Sequence, residues 1–173
     1  MTAPTMLDTF VHDHWEAAQQ AMKGKRPDAL NHAQAVAVAT PESARSLMLC
    51  GMCFAPLGLP ETALALLRRA SMVDPSDVLV KVRLSEALYA VGQFAESEIA
   101  IRAAFRGGRG LGEDLFLLAR ILWAQGKISE SKAILAELVS RNSNLDWKRR
   151  ILEYTAEPSD FGLDHFSEST RQP

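Results

Sequence analysis

Cys50 and Cys53 have the residue types and spacing with the most chemical scope in this chain. A C-x-x-C pair at a helix N-terminus can hold a nucleophilic thiolate, and it can contribute two ligands to a zinc site. Here the pair falls in the middle of a stretch patterned as a helix, with no strand pattern before it, so the reading adopted is two packed thiols. One cysteine pair cannot close a tetrahedral zinc site from this chain unaided. His12 and His14 are two residues apart and fall on different helix faces, and His32 and His165 have no evident companions. The run Arg106-Gly107-Gly108-Arg109-Gly110-Leu111-Gly112 is rich in glycine but lacks the Lys-Ser/Thr pair that would complete a phosphate-cradling loop. No catalytic residue, metal site or cofactor is therefore expected. A thiol or redox enzyme centred on Cys50 and Cys53 is the alternative of another class.

Composition narrows the partners. The chain has 173 residues, 47% of them hydrophobic and 23% charged, which suits a packed domain able to fold alone. A formal net charge of -2 supplies no field for nucleic acid or an anionic membrane. The local run Lys148, Arg149, Arg150 reads as a solvated helix face. No apolar window approaches the roughly 18 residues of a membrane span. Met1 to Trp15 includes Asp8, His12, Asp13 and His14, where a signal peptide would need an unbroken apolar core, so a cytoplasmic protein is expected.

The elements that hold these residues follow from a repeat. Gly58, Gly92 and Gly126 are 34 residues apart, and their surroundings recur in the same register. Leu47, Cys50, Gly51, Phe54, Gly58, Ala63, Leu67, Ala70 and Pro75 mark one copy. The next carries Leu84, Ser85, Leu88, Gly92, Ser97, Ile101 and Ala104, and the one after it Leu118, Ala119, Leu122, Gly126, Ser131, Leu135 and Leu138. Carried backwards, the register meets Ala17, Gly24, Ala29, Ala33, Val36 and Pro41. Small residues at Gly51, Ser85 and Ala119, and at Ala63, Ser97 and Ser131, let two helices approach closely. The four glycines sit where a first helix must stop, a place that favours a left-handed conformation. Pro56, in the last turn of a first helix, should shorten or kink it. The glycine run after Arg106 is the loosest connection, read as an irregular turn or a hinge.

Domain organisation follows: a lead-in at 1-9, a weak first repeat at 10-43, further repeats at 44-77, 78-111 and 112-145, a capping helix at 146-157 and a flexible tail at 158-173. In the cap, Trp147, Ile151, Leu152 and Tyr154 form the apolar side that closes the end of the stack.

The pattern resembles the tetratricopeptide repeat superfamily, in which a large-x-x-large-small-x-x-aromatic helix is followed by a turn, small and large residues, and proline. The resemblance implies an all-α fold, a right-handed superhelical solenoid of antiparallel helix pairs, with about four repeats plus the C-terminal capping helix. It also implies a concave groove lined by the first helix of each pair. Carried onto this sequence, the groove comprises His14, Arg45, Met48, Met52, Val82, Arg83, Glu86, Tyr89, Phe116, Arg120 and Trp123. Methionine and aromatic side chains with sparse charge suit an apolar extended or helical segment of a partner protein. The carboxylate clamp of chaperone-cofactor members is not matched, because its slots hold His14, Ala18, Leu49 and Leu79 and only Arg83 agrees. In size and layout the chain is similar to the small chaperones of type III secretion translocators. The expected function is a non-enzymatic protein-interaction module, either an adaptor or scaffold or a small chaperone for a hydrophobic client. Self-association through exposed flanks is a further reading.

Overall fold

The computed structural model describes residues 5–24, 28–110, 112–141, 149–151 and 154. Among them all regular structure is helical. The expected tail at 158-173 and most of the expected capping helix lie outside the described residues. The chain divides into two compact units, Met1–Gly108 and Arg109–Pro173, and the division falls inside the glycine run.

In the first unit, α1 (Met6–Lys23), α2 (Ala29–Ala39), α3 (Ala44–Phe54), α4 (Pro60–Val73), α5 (Val78–Ala90) and α6 (Phe94–Arg106) pack in chain order. The second unit contains α7 (Gly112–Ala124), α8 (Ile128–Arg141) and the helical residues Arg149, Arg150, Ile151 and Tyr154. The register survives almost without slippage. Helices α3, α5 and α7 start at Ala44, Val78 and Gly112, and α4, α6 and α8 start at Pro60, Phe94 and Ile128.

The connection inside each of these pairs is one repeated device. Gly58, Gly92 and Gly126 have φ of 76°, 79° and 77°, the left-handed region where a side chain is strained. Beyond each glycine a backbone N–H reaches back into the helix: Leu59 to the Phe54 carbonyl, Gln93 to Leu88 and Lys127 to Leu122, at 3.3, 2.9 and 2.9 Å. This is the glycine-terminated cap that satisfies the orphan carbonyls of a helix end. Gly24 departs from it. Its φ is -79°, so the left-handed turn expected in the first repeat is absent, and the second helix opens late, at Ala29. α1 begins at Met6, ahead of the expected repeat start at residue 10. Thr5 and Asp8 form a reciprocal capping box that nucleates the helix ahead of the repeat start. Pro56 acts as anticipated: α3 ends at Phe54, and Ala55–Leu57 form a single 3-10 turn.

The small positions are where the two helices of a pair meet. A Cβ built on Gly51 would lie 3.0 Å from Leu67 Cγ and 3.2 Å from the Ala63 carbonyl oxygen. In the next pair the same place holds two fully buried serines. Ser85 Oγ donates to the Ser97 carbonyl at 2.9 Å, and Ser97 Oγ donates to the Ser85 carbonyl at 2.7 Å. In the second unit Ser131 Oγ donates to the Ala119 carbonyl at 2.7 Å. The hydroxyls spend their hydrogen bonds across the contact, so small size is kept without leaving a buried donor unpaired.

The core runs between neighbouring helices. Ala18, Ala21, Ala33, Val36 and Leu49 cluster with both cysteines at the first end. Met48, Leu64, Leu67, Val80 and Leu88 continue the packing through α5. In the second unit Phe116, Ala119, Leu135 and Leu138 enclose Ile151, which is fully buried. No described helix is long and apolar enough to cross a membrane.

Candidate functional site

The expected groove residues lie on the first helices, and the structure sorts them by how much surface they retain. Met48 and Val82 are 2% and 1% exposed and Phe116 is 7% exposed, so these three are core side chains with almost nothing to offer a partner. That corrects their expected role, and the reason is geometric: Met48 and Phe116 pack into clusters with neighbouring helices rather than into solvent, and Val82, at the same repeat position, is enclosed as well. Met52, Arg83, Glu86 and Tyr89 stay half-buried on α3 and α5, two first helices that pack against each other.

Within this face the charges are arranged locally. Arg83 Nη1 donates to both carboxylate oxygens of Glu86 at 2.8 Å, one helical turn away. The pair anchors one side of the guanidinium, while the buried Nε has no hydrogen-bond acceptor among the described residues. Met52 is partly buried against the core of the first unit, and the Tyr89 ring lies 5.5 Å from that of Phe94. The result is an apolar strip with one oriented cation–anion pair in it.

Arg45 is committed elsewhere. Its Nε donates at 2.8 Å to Asp77 Oδ2, while Asp77 Oδ1 accepts from the Leu79 and Val80 amides and caps α5. Burial pushes the Asp77 carboxyl up, but the hydrogen bonds from Arg45, Val80 and Leu79 outweigh it and the net displacement is downward. His14 also turns inward: its Nδ1 lies 3.0 Å from Nδ1 of His32 on α2, and its ring meets that of Phe10 at a 44° tilt with centroids 4.4 Å apart.

In the second unit the expected groove residues converge on Tyr154. Its ring meets Phe116 and Trp123 edge-on at 5.9 and 5.8 Å, Arg120 lies 5.9 Å from its centroid, and its hydroxyl donates to the Arg120 carbonyl at 3.4 Å. Arg150 stands 4.9 Å from the Phe116 ring and forms two hydrogen bonds to Glu113, at 2.6 and 2.9 Å. These hydrogen bonds hold the Glu113 carboxyl below its ordinary range. Carrying the repeat register one step beyond Phe116 and Arg120 lands on Arg150 and Tyr154. That was the signal available for these covering residues, and composition alone did not point to them.

The two cysteines are packed thiols. Both are buried, Cys50 Sγ lies 3.3 Å from the Ala33 carbonyl, and burial pushes both thiols up, Cys53 to about 11 with the neighbouring Cys50 adding to the effect. A protonated, enclosed thiol is the wrong state for nucleophilic or metal chemistry. Among the described residues, no group of three or more His, Cys, Asp or Glu side chains is placed to hold a metal ion.

Solved structures share this arrangement. MamA residues 41-end from Desulfovibrio magneticus RS-1 superimpose with a TM-score of 0.72 at 13% identity, covering 95% of this chain and 98% of that one. YrrB, described as a TPR protein with an unusual peptide-binding site, superimposes with a TM-score of 0.66 at 14% identity, over 84% of this chain and 76% of YrrB. The fold is that of the tetratricopeptide repeat. A mutant O-GlcNAc transferase from Thermobaculum terrenum matches with a TM-score of 0.69 at 19% identity over 80% of this chain, which spans only 27% of that enzyme. No family model and no curated protein matches the sequence. With identities this low, the tetratricopeptide likeness is one of fold.

Proposed function

We propose that the protein is a tetratricopeptide interaction module that takes an apolar extended or helical segment of a partner protein on the first-helix face of α3 and α5. The observation that carries this reading is the half-buried strip of Met52, Tyr89, Arg83 and Glu86, left on the surface after the core has taken Met48 and Val82. Methionine adapts to irregular apolar shapes and tyrosine supplies contact area at low entropic cost, so these two give affinity. Arg83, oriented by Glu86, gives register through hydrogen bonds to the backbone or polar groups of the segment. A partner-binding role agrees with the peptide-binding site named for YrrB, whose fold this chain shares. A small chaperone for a hydrophobic client is the narrower form of the same proposal.

The test is affinity capture from the native cell with the whole chain, compared with Met52→Glu and Tyr89→Glu variants whose helical content and Tm are first shown to be unchanged. Loss of the same co-purifying protein from both variants is expected. Undiminished capture by both places the binding surface elsewhere.

A further inference from the structure

His14 and His32 are 18 residues apart in the chain, and the packing of α1 on α2 turns their imidazoles nitrogen to nitrogen. Alanines make the close approach possible. Ala18 follows His14 by one turn on α1, Ala29 and Ala33 flank His32 on α2, and all three are buried in one cluster, so the two helices meet on small side chains. The Nδ1 atoms lie 3.0 Å apart and the ring centres 5.1 Å apart, so each ring aims a nitrogen at the other rather than stacking on it. Both side chains are half-buried, with Phe10 against the His14 ring. Behind the His32 ring, its Nε2 lies 3.9 Å from Asp28 Oδ2. His12 is placed differently: it is exposed, and its Nε2 lies 3.5 Å from Glu16.

A neutral imidazole has one protonated and one bare nitrogen, so the 3.0 Å contact holds a single proton between the two Nδ1 atoms. A metal ion can take that proton's place. Zinc binds imidazole nitrogen at about 2.0–2.1 Å, which puts two tetrahedral nitrogen ligands about 3.3 Å apart, so the rings need to part by only about 0.3 Å. The donating imidazole switches to its Nε2–H tautomer, and neither ring changes charge. In that state the Nε2–H of His32 faces Asp28, the carboxylate-behind-histidine arrangement that orients a metal ligand and raises its basicity. On α1, Asp8, Asp13 and Glu16 outnumber Lys23, which favours a cation at this end of the chain.

We propose that His14 and His32 are a two-histidine site for a zinc ion, bridging α1 and α2. Water completes the coordination, so the site is open and the ion exchangeable rather than locked in a closed structural centre. Its place in the fold gives it a use. The α1–α2 pair lacks the left-handed glycine turn of the later pairs, and a bridging ion ties together the two helices that this turn does not.

The experiment is calorimetric titration of the whole metal-free chain with zinc chloride, repeated with magnesium chloride and with the variants His14→Gln, His32→Gln, His12→Gln and His165→Gln. The expected result is one zinc per chain and no bound magnesium, since imidazole suits the first and not the second. Binding of zinc should weaken at least about tenfold in His14→Gln and in His32→Gln and stay unchanged in the other two variants. Zinc should also raise Tm in the unaltered protein and not in His14→Gln or His32→Gln. An NMR spectrum of the imidazole nitrogens in the unaltered chain makes the test independent of how the variants fold: zinc should shift two Nδ1 resonances and leave Nε2 protonated on both rings. Zinc that shifts other nitrogens, binds undiminished in both His14→Gln and His32→Gln, or is lost in His12→Gln or His165→Gln overturns the proposal. So does the absence of binding up to about 1 mM zinc.

Discussion

Gly51 shows how a single atom decides packing at this spacing. Alanine is a better helix former than glycine by about 1 kcal/mol, yet a Cβ here would press on Leu67 and the Ala63 carbonyl. Overpacking costs about 1–3 kcal/mol, so Gly51→Ala is expected to lower stability on balance, read as a reduced urea midpoint. Ser97→Ala removes one donor across the equivalent contact in the next pair and leaves the Ser85 hydroxyl its bond to the Ser97 carbonyl, so a loss of only about 0.5–1.5 kcal/mol is expected. The cysteines give a kinetic prediction. With both thiols buried and pushed up, labelling by a thiol reagent at pH 8 should be slow in the native protein and accelerate on unfolding. Rapid native labelling would return redox chemistry to consideration. The C-x-x-C spacing was plain in the sequence, but its enclosure depended on which helices pack around it.

At the scale of elements, the question is what holds the last helical residues against α7. Arg150 and Glu113 form a close pair at an exposed site, and such pairs contribute about 0–1 kcal/mol. Ile151 is fully buried in the cluster with Phe116 and Leu138, and truncating such a side chain costs about 2–5 kcal/mol. Ile151→Ala should therefore lower Tm well beyond Arg150→Ala, and the reverse order would mean that the ion pair dominates. Asp77 and Glu113 set the acid limit of the helices they serve. Both carboxyls lie below their ordinary values when folded, so each adds stability that is fully present above the unfolded carboxyl pKa, near 4, and is lost as pH falls through the lowered folded value. Stability should accordingly be insensitive to these two groups between about pH 5 and 8 and decline below about pH 4, with the decline reduced in Asp77→Asn. The positions of α3 to α8 were legible because glycine turns and small residues recur at a fixed interval. The start of α1 was not, because a local Thr5–Asp8 cap overrode the repeat.

For the whole molecule, the glycine run at 107–110 separates two units, each with its own packed residues. Limited trypsin digestion should make its earliest cut between residues 28 and 141 after Arg106 or Arg109, as mass spectrometry of the fragments would show. An earlier cut inside α5 or α6 would contradict that division. The sequence by itself determined the helical class, the pairing of helices and the turns, because each depends on residues whose backbone or volume requirement repeats every 34 positions. Which residues of the first helices remain available was decided only in three dimensions. Met48 and Met52 are the same residue type one helical turn apart, yet one is enclosed and the other is not, since burial depends on what the next helix places opposite. The same is true of His14 and His32: both can be read in one dimension, but they share no motif there, and their nitrogens meet only when α1 packs on α2.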